Sequence, residues 1–368
     1  MLINAMGLIL ADNRRVKLGP LTEPRALSAM PFAGRFRIID FLLSHMVNSG
    51  IKRVGVVALT RYKSLMDHLG TGASWDLDRM NQGLYLLPPY INPVTRSSER
   101  SDLTSIIDYI EHGNQEHVVI IDCNMVMNTT YNDLIDRHIE SGADITVMYN
   151  HDGTDYGVPN ISLSLNDEGR VLDVMVDSST PPSDVSAINV ACIRKDLLLS
   201  LLEEARSRGV TDFTFIRLLD FHRQLDIYAY ELEDKILRIN SIANYFKASM
   251  DLFDDDLRHQ LFSEDTPIYT KVKNQPPCLV EPGARVKNVL ASDGCVIQGD
   301  VENCILFRGV TVGQGSKLRN CVIFQDTQIS SDADLNYVII DKDSVVKMGV
   351  RLLGHPGFPV VIGKGSIV

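Results

Sequence analysis

Nowhere does the chain approach the roughly 18 consecutive apolar residues that a membrane helix needs. A spanning helix is therefore not expected. With no charged leader followed by an apolar stretch and a cleavage site, a cytoplasmic protein is the expectation. Positive charge is also in short supply: 36 Lys and Arg face 47 Asp and Glu, and the formal charge of −11 argues against general binding to nucleic acid or to an anionic membrane. No C-x-x-C pair occurs among Cys123, Cys192, Cys278, Cys295, Cys304 and Cys321. Several of them lie inside apolar runs, so structural thiols are expected rather than disulfides or metal ligands. Histidines at metal-binding spacing are missing too, since His112 and His117 straddle a turn. The single tryptophan, Trp75, is read as a packing anchor.

A more specific shortage is that of glycine after the first strand. Residues 7–11 form an apolar run that reads as a buried strand. In a nucleotide-binding α/β protein the next turn usually carries glycines, so that backbone N–H groups can approach phosphates. Here that turn is Asp12-Asn13-Arg14-Arg15-Val16-Lys17. Bulky side chains occupy the places where bare backbone is needed, and Asp12 puts a carboxylate where a triphosphate would sit.

What is present suffices for two domains: 368 residues, 45 % of them hydrophobic. Ile39, Leu42, Leu43, Met46 and Val47 recur at helical spacing and stop at Asn48-Ser49-Gly50. Further strands are expected at 54–59, 117–123, 144–149, 188–193 and 227–232, and helices at 102–112, 130–141, 196–208 and 241–253. This alternation implies an α/β domain with a mostly parallel, Rossmann-like sheet covered on both faces. Residues 70–101, rich in Gly and Pro, read as a long loop of the kind that covers an active site.

Beyond Pro276-Pro277 the texture changes. Aliphatic residues recur about every five or six positions, as at Val286, Val296, Val301, Ile305, Val312, Leu318, Ile323 and Ile329, with turn-forming residues between. That period marks a β-helix, whose coils are short strands with aliphatics stacked inward. The expected organisation is an α/β domain at 1–253, a linker at 254–278 and a β-helix at 279–368.

Several motifs carry a resemblance. Leu18-x-Pro20-Leu21-Thr22, Arg25-Ala26, Pro31-Phe32, Gly34-Arg35-Phe36-Arg37-Ile38-Ile39-Asp40-Phe41 and Asn48-Ser49-Gly50-Ile51 resemble the opening of bacterial ADP-glucose pyrophosphorylases (glucose-1-phosphate adenylyltransferases). Within that family the chain is more similar to the non-catalytic, regulatory GlgD-type subunit than to the catalytic one. The resemblance implies a nucleotidyltransferase domain followed by a left-handed parallel β-helix used in subunit assembly.

It also implies a set of catalytic positions, most of them altered here. Nucleotidyl transfer must neutralise much negative charge, with Mg²⁺ on carboxylates, cationic side chains and backbone N–H groups. The family's loop glycines fall at Asp12, Asn13 and Arg15, and its phosphate-binding arginine at Lys17, which keeps charge but loses the bidentate fork. Its following lysine is replaced by the apolar Leu27. The two metal-binding aspartates fall at Asn124 and Ile216, and the sugar-phosphate lysine near Asp177. No lysine occurs anywhere from Gly157 to Cys192. Asp122, two residues before Asn124, would share its face if the strand persisted, which leaves it a small chance of replacing the missing ligand.

Arg25 and Arg37 stand where the family binds phosphorylated or nucleotide effectors, between its two domains; Arg14 and Arg35 lie nearby in sequence. Asp40 reads as a helix-start carboxylate. The expectation is a catalytically inactive regulatory subunit that forms a hetero-oligomer, a heterotetramer, with a catalytic pyrophosphorylase, responds to a phosphorylated-sugar or nucleotide effector, and holds no cofactor, Mg²⁺ belonging to the partner. One alternative is an active sugar-1-phosphate nucleotidyltransferase that makes ADP-glucose from ATP and glucose 1-phosphate. Another is an acyltransferase, a class that also uses left-handed β-helices; its groove histidine has a poor counterpart in His355, the only histidine after Leu279.

Overall fold

A computed structural model of the protein describes residues 4–13, 15–58, 60–80, 82–88, 103–151, 161–176, 185–221 and 223–368. Arg14 and Asp177 lie outside the described residues.

The first domain is built on a nine-stranded sheet. Gly83–Leu87, Arg53–Val57, Ala5–Leu10 and His117–Asp122 are neighbours in that order and all parallel. Beyond them the long strand Ser186–Arg194 runs antiparallel to His117–Asp122 and carries Ile145–Asn150 and Ile161–Leu165 on its other edge, both antiparallel. Val171–Val176 and Ile227–Glu231 complete the sheet. The expected mostly parallel sheet is thus mixed, its antiparallel half created by Ser186–Arg194. Period-2 patterning reports which face a side chain takes, not which way the strand runs.

A second correction concerns the stretch 70–101. It contains the edge strand Gly83–Leu87 and a short 3-10 turn at Ala73–Trp75. The flanking glycines and prolines hide a five-residue strand that tertiary pairing stabilises. Trp75, 2 % exposed, meets His68 edge-on at 5.9 Å, as a packing anchor should.

Two glycines let helices close on the sheet. A Cβ on Gly7 would lie 2.6 Å from Met46 Sδ of the helix Ile38–Asn48, and one on Gly55 would lie 2.8 Å from the ring of Tyr109 on the opposite face. The Tyr109 hydroxyl then donates to Gly7 O at 2.9 Å, so both close approaches meet at one strand.

The second domain is a parallel β-helix. Two-residue strands from Leu279–Val280 to Val345–Val346 stack on one side, and seven-residue strands from Arg285–Ala291 to Asp334–Ile340 wrap the others. Each long strand bends at a residue with φ between +51° and +54°: Asn288, Asn303, Asn320 and Tyr337. Asparagine tolerates that left-handed conformation, and its amide can ladder from coil to coil. Asn288 donates to Asn303 at 2.7 Å, and Asn320 to Asn336 at 3.0 Å. All six cysteines are free, five of them buried, as expected of structural thiols.

The domains share one hydrophobic core. Ile305, Phe307, Val322 and Phe324 of the β-helix belong to the same buried cluster as Phe32, Phe41 and Tyr245 of the first domain. Tyr245, on the helix Ile242–Asp251, meets Phe324 edge-on at 6.2 Å, and its hydroxyl donates to Pro31 O at 2.7 Å. The segment 254–278, expected as a linker, includes the helix Asp255–Leu261, capped by the Asp254 side chain and anchored in the shared core by Leu257 and Leu261.

Candidate functional site

Adjacent parallel strands Ala5–Leu10 and His117–Asp122 end side by side, and the chain leaving each of them walls a cleft there. This is the edge at which open α/β sheets bind ligands. The lining comes from six places in the sequence: Leu10, Asp12, Asn13 and Arg15 at the end of the first strand and after it; Asp122 and Asn124; Ile161; Asn189; 212–216; and Arg238.

The first turn closes over this cleft with its own side chains. Asn13 Nδ2 donates to Asp122 Oδ2 at 2.7 Å, while Asn13 Oδ1 accepts from the Arg15 amide at 3.0 Å. Asp12 accepts from Thr60 Oγ1 at 2.5 Å. An amide-to-carboxylate bond thus ties the first turn to the end of the neighbouring strand.

Asp122 accepts a second bond from the Cys123 N–H at 2.7 Å. Its carboxyl is nevertheless pushed up to about 7, because burial disfavours the charged form and Asp12 adds repulsion, against the bonds from Cys123 and Asn13. Asn124 is 4 % exposed and accepts from Asn189 Nδ2 at 3.3 Å. Ile216, half-buried on the short helix Phe215–Leu219, presents a hydrocarbon wall. Asp212 is engaged by Arg217 at 3.5 Å. A carboxyl that titrates near neutrality, an amide and an isoleucine make a poor donor set for Mg²⁺. Among the described residues no group of three or more His, Cys, Asp or Glu could hold a metal.

The structure brings Asn124 and Ile216 into this cleft together, but not Lys17 or Leu27. Lys17 is exposed and does not line it. Leu27 is 1 % exposed and packs in the core, where an apolar residue is the stable choice. Sequence reasoning missed Asn189, which sits at φ +59° where the pairing of Ser186–Arg194 with Ile145–Asn150 breaks register. An asparagine inside an apolar strand was the available signal.

A second charged group lies where the domains meet. Arg25, 3 % exposed, pairs with the fully buried Asp341 of the β-helix at 2.8 Å and donates to Leu21 O at 3.1 Å. Arg37 donates to the backbone oxygen and the hydroxyl of Ser64 at 2.7 and 3.1 Å. Burial lowers its guanidinium to about 10 although Asp40 opposes this. Lys342, next to Asp341, is pushed down to about 7 by burial and then by Arg37 and Arg25. Three cations from distant parts of the sequence thus feel one another. Lys342 was not singled out in the sequence, because a lysine in a β-helix turn has no local mark. Arg35 stands apart, its guanidinium 5.7 Å from the Phe36 ring centroid.

Asp40 is structural. It accepts from the Arg37 N–H at 3.0 Å, at the start of the helix Ile38–Asn48, and from Thr270 Oγ1 at 2.6 Å, and it pairs with His68 Nε2 at 2.5 Å.

A Rossmann-like cleft followed by a parallel β-helix defines a nucleotidyltransferase-fold protein with hexapeptide repeats. Residues 6–175 match the family described as "Nucleotidyl transferase", and 280–355 match "GlmU-like, C-terminal hexapeptide". The chain is 36 % identical to "Glycogen biosynthesis protein GlgD" of Bacillus subtilis (strain 168), over 98 % of this chain and 96 % of that protein. It is 36 % identical to the protein of the same description from Geobacillus stearothermophilus, over 84 % and 82 %. It is 30 % identical to the "Glucose-1-phosphate adenylyltransferase" of Thermotoga neapolitana, over 86 % and 76 %. The chain belongs to the bacterial glucose-1-phosphate adenylyltransferase family, on its GlgD side. The expected fold class, a nucleotidyltransferase domain followed by a left-handed β-helix, holds.

Proposed function

We propose that this protein acts in glycogen biosynthesis as a catalytically silent, regulatory subunit of a glucose-1-phosphate adenylyltransferase, in a cytoplasmic hetero-oligomer with the catalytic chain. The observation that supports this reading is the first turn, tied by the Asn13–Asp122 bond, in a cleft where Asn124 and Ile216 lie at the positions that the family resemblance gives to the metal carboxylates. Since electrostatic stabilisation is usually the largest catalytic term, losing these groups together leaves little to drive nucleotidyl transfer. Mg²⁺ then belongs to the catalytic partner.

Regulation in this reading enters through the junction. Arg25, Arg37 and Lys342 form a cationic group touching both domains, suited to a phosphorylated-sugar or nucleotide effector. An anion there would neutralise cations held together at a desolvation cost and would pull on both domains at once.

Co-expression with a catalytic subunit tests the proposal. The expected result is a stable complex whose kinetics or effector response differ from those of the catalytic chain alone; no complex and unchanged kinetics would overturn it. The alternative, an active nucleotidyltransferase, requires the purified chain to release pyrophosphate from ATP and glucose 1-phosphate with Mg²⁺ well above background.

A further inference from the structure

One side of the β-helix brings three polar residues to the domain junction. Asp326 N–H donates to Arg308 O at 3.0 Å and Asp343 N–H to Gln325 O at 3.1 Å, which stacks Arg308, Gln325 and Lys342 on successive coils. Arg308 is 7 % exposed, and its Nε is buried with no acceptor; it joins burial and Arg25 in lowering Arg37. Gln325 Oε1 is buried with no donor. Lys342 Nζ makes no hydrogen bond or ion pair among the described residues. Cations face it from both domains and from the segment between them: Arg37, Arg25 and Lys273. The one carboxylate acting against them, Asp341, is already paired with Arg25.

We infer that Lys342 is a carbamylation site: its amine adds dissolved CO₂, and the carbamate so formed is held by the guanidiniums around it. The nitrogen lone pair attacks the CO₂ carbon, one C–O π pair moves onto oxygen, and a proton leaves nitrogen for water. Lys–NH₂ and CO₂ thus give Lys–NH–COO⁻ and H⁺. An ordinary lysine is protonated at neutral pH and does not react. At Lys342, burial and then Arg37, Arg25 and Lys273 push the amine down to about 7, so roughly half of it carries a free lone pair near neutrality. The same cations favour the anion made from it. A carbamate presents two acceptor oxygens and one N–H donor, matching in kind the orphaned donor of Arg308 and the orphaned acceptor of Gln325. The inference rests on the junction of the regulatory reading and gives that junction a ligand made in place, which would compete with a phosphorylated effector for the same cations.

The test incubates the purified full chain with ¹³C-bicarbonate, traps carbamates as alkyl esters with a trialkyloxonium reagent and maps them by peptide mass spectrometry. The N-terminal amine, which titrates in a similar range, is the internal control. Label is expected on the peptide that carries Lys342, rising roughly tenfold or more between pH 6 and pH 8 at fixed dissolved CO₂. Lys342→Arg keeps the charge and removes the amine, so label should vanish from that peptide and stay on the N-terminus. Label confined to the N-terminal amine, or spread equally over the other lysines, overturns the inference. No partner chain enters the measurement, so the two readings fail separately. Label at Lys342 with no complex and unchanged kinetics of a catalytic subunit overturns the regulatory reading alone, and a functional complex without label at Lys342 overturns the carbamate alone.

Discussion

The cleft and the domain junction handle their charged groups in opposite ways. In the cleft, Asp12, Arg15, Asp212 and Arg238 stand beside the amides of Asn124 and Asn189 and the hydrocarbon of Ile216, and the most deeply buried carboxyl, Asp122, is driven toward its neutral form. At the junction, charge is retained at cost: Arg25 and Asp341 are both buried, and Lys342 is crowded by two guanidiniums. The difference teaches two ways of burying charge: neutralising a carboxyl in the cleft, and pairing one with a guanidinium at the junction. A buried ion pair adds little stability of its own, but removing either partner is costly.

The strongest way to break the comparison is Arg25→Ala. Removing one partner of a buried pair strands the carboxylate of Asp341, and the loss in chemical denaturation is expected to be about 3–5 kcal/mol. A loss under 1 kcal/mol would mean that water reaches Asp341 and that the junction is not dry.

The two regions should also respond to pH with opposite sign. Asp122 is raised from 3.8 to about 7, so between these values the folded state holds a proton that the unfolded state lacks, and stability falls as pH rises. Asp122→Asn removes that dependence. Relative to the variant, the parent chain should lose on the order of a few kcal/mol between pH 4 and 7. Lys342 is lowered from 10.5 to about 7, so above pH 7 the unfolded state holds the extra proton and stability rises toward 10.5. Lys342→Met should flatten this alkaline limb, a smaller effect because the lysine is not fully enclosed. Denaturation curves at several pH values for the parent and both variants check the pair; parallel pH profiles in all three would remove the contrast.

The smallest effect is expected from restoring charge to the cleft. Asn124→Asp with Ile216→Asp places two carboxylates in the cleft, yet pyrophosphate release by the purified double variant should rise less than roughly tenfold, since the first turn still lacks glycine. A larger gain would show that the metal ligands alone were limiting.

The absence of glycine from the first turn was legible at Asp12-Asn13-Arg14-Arg15, and glycine is what a backbone that touches phosphate needs. The β-helix was legible from its aliphatic period, since each coil must put small hydrophobes inward at regular intervals. The antiparallel course of Ser186–Arg194 and the edge strand Gly83–Leu87 were not, because strand direction and edge pairing are set by partners far away in the chain.

For the site, the sequence by itself determined which residue types are absent: no glycine from Asp12 to Lys17, no carboxylate at 124 or 216, and no lysine from Gly157 to Cys192. Only the tertiary structure decided what those changes became. It turned Asn13 onto Asp122, set Asn189 beside Asn124, and joined Arg25 to Asp341 across 316 positions, with Lys342 close enough to feel the pair. Residue types limit which interactions are possible, while partners and burial decide which ones form, and those two quantities come from the packing of distant segments.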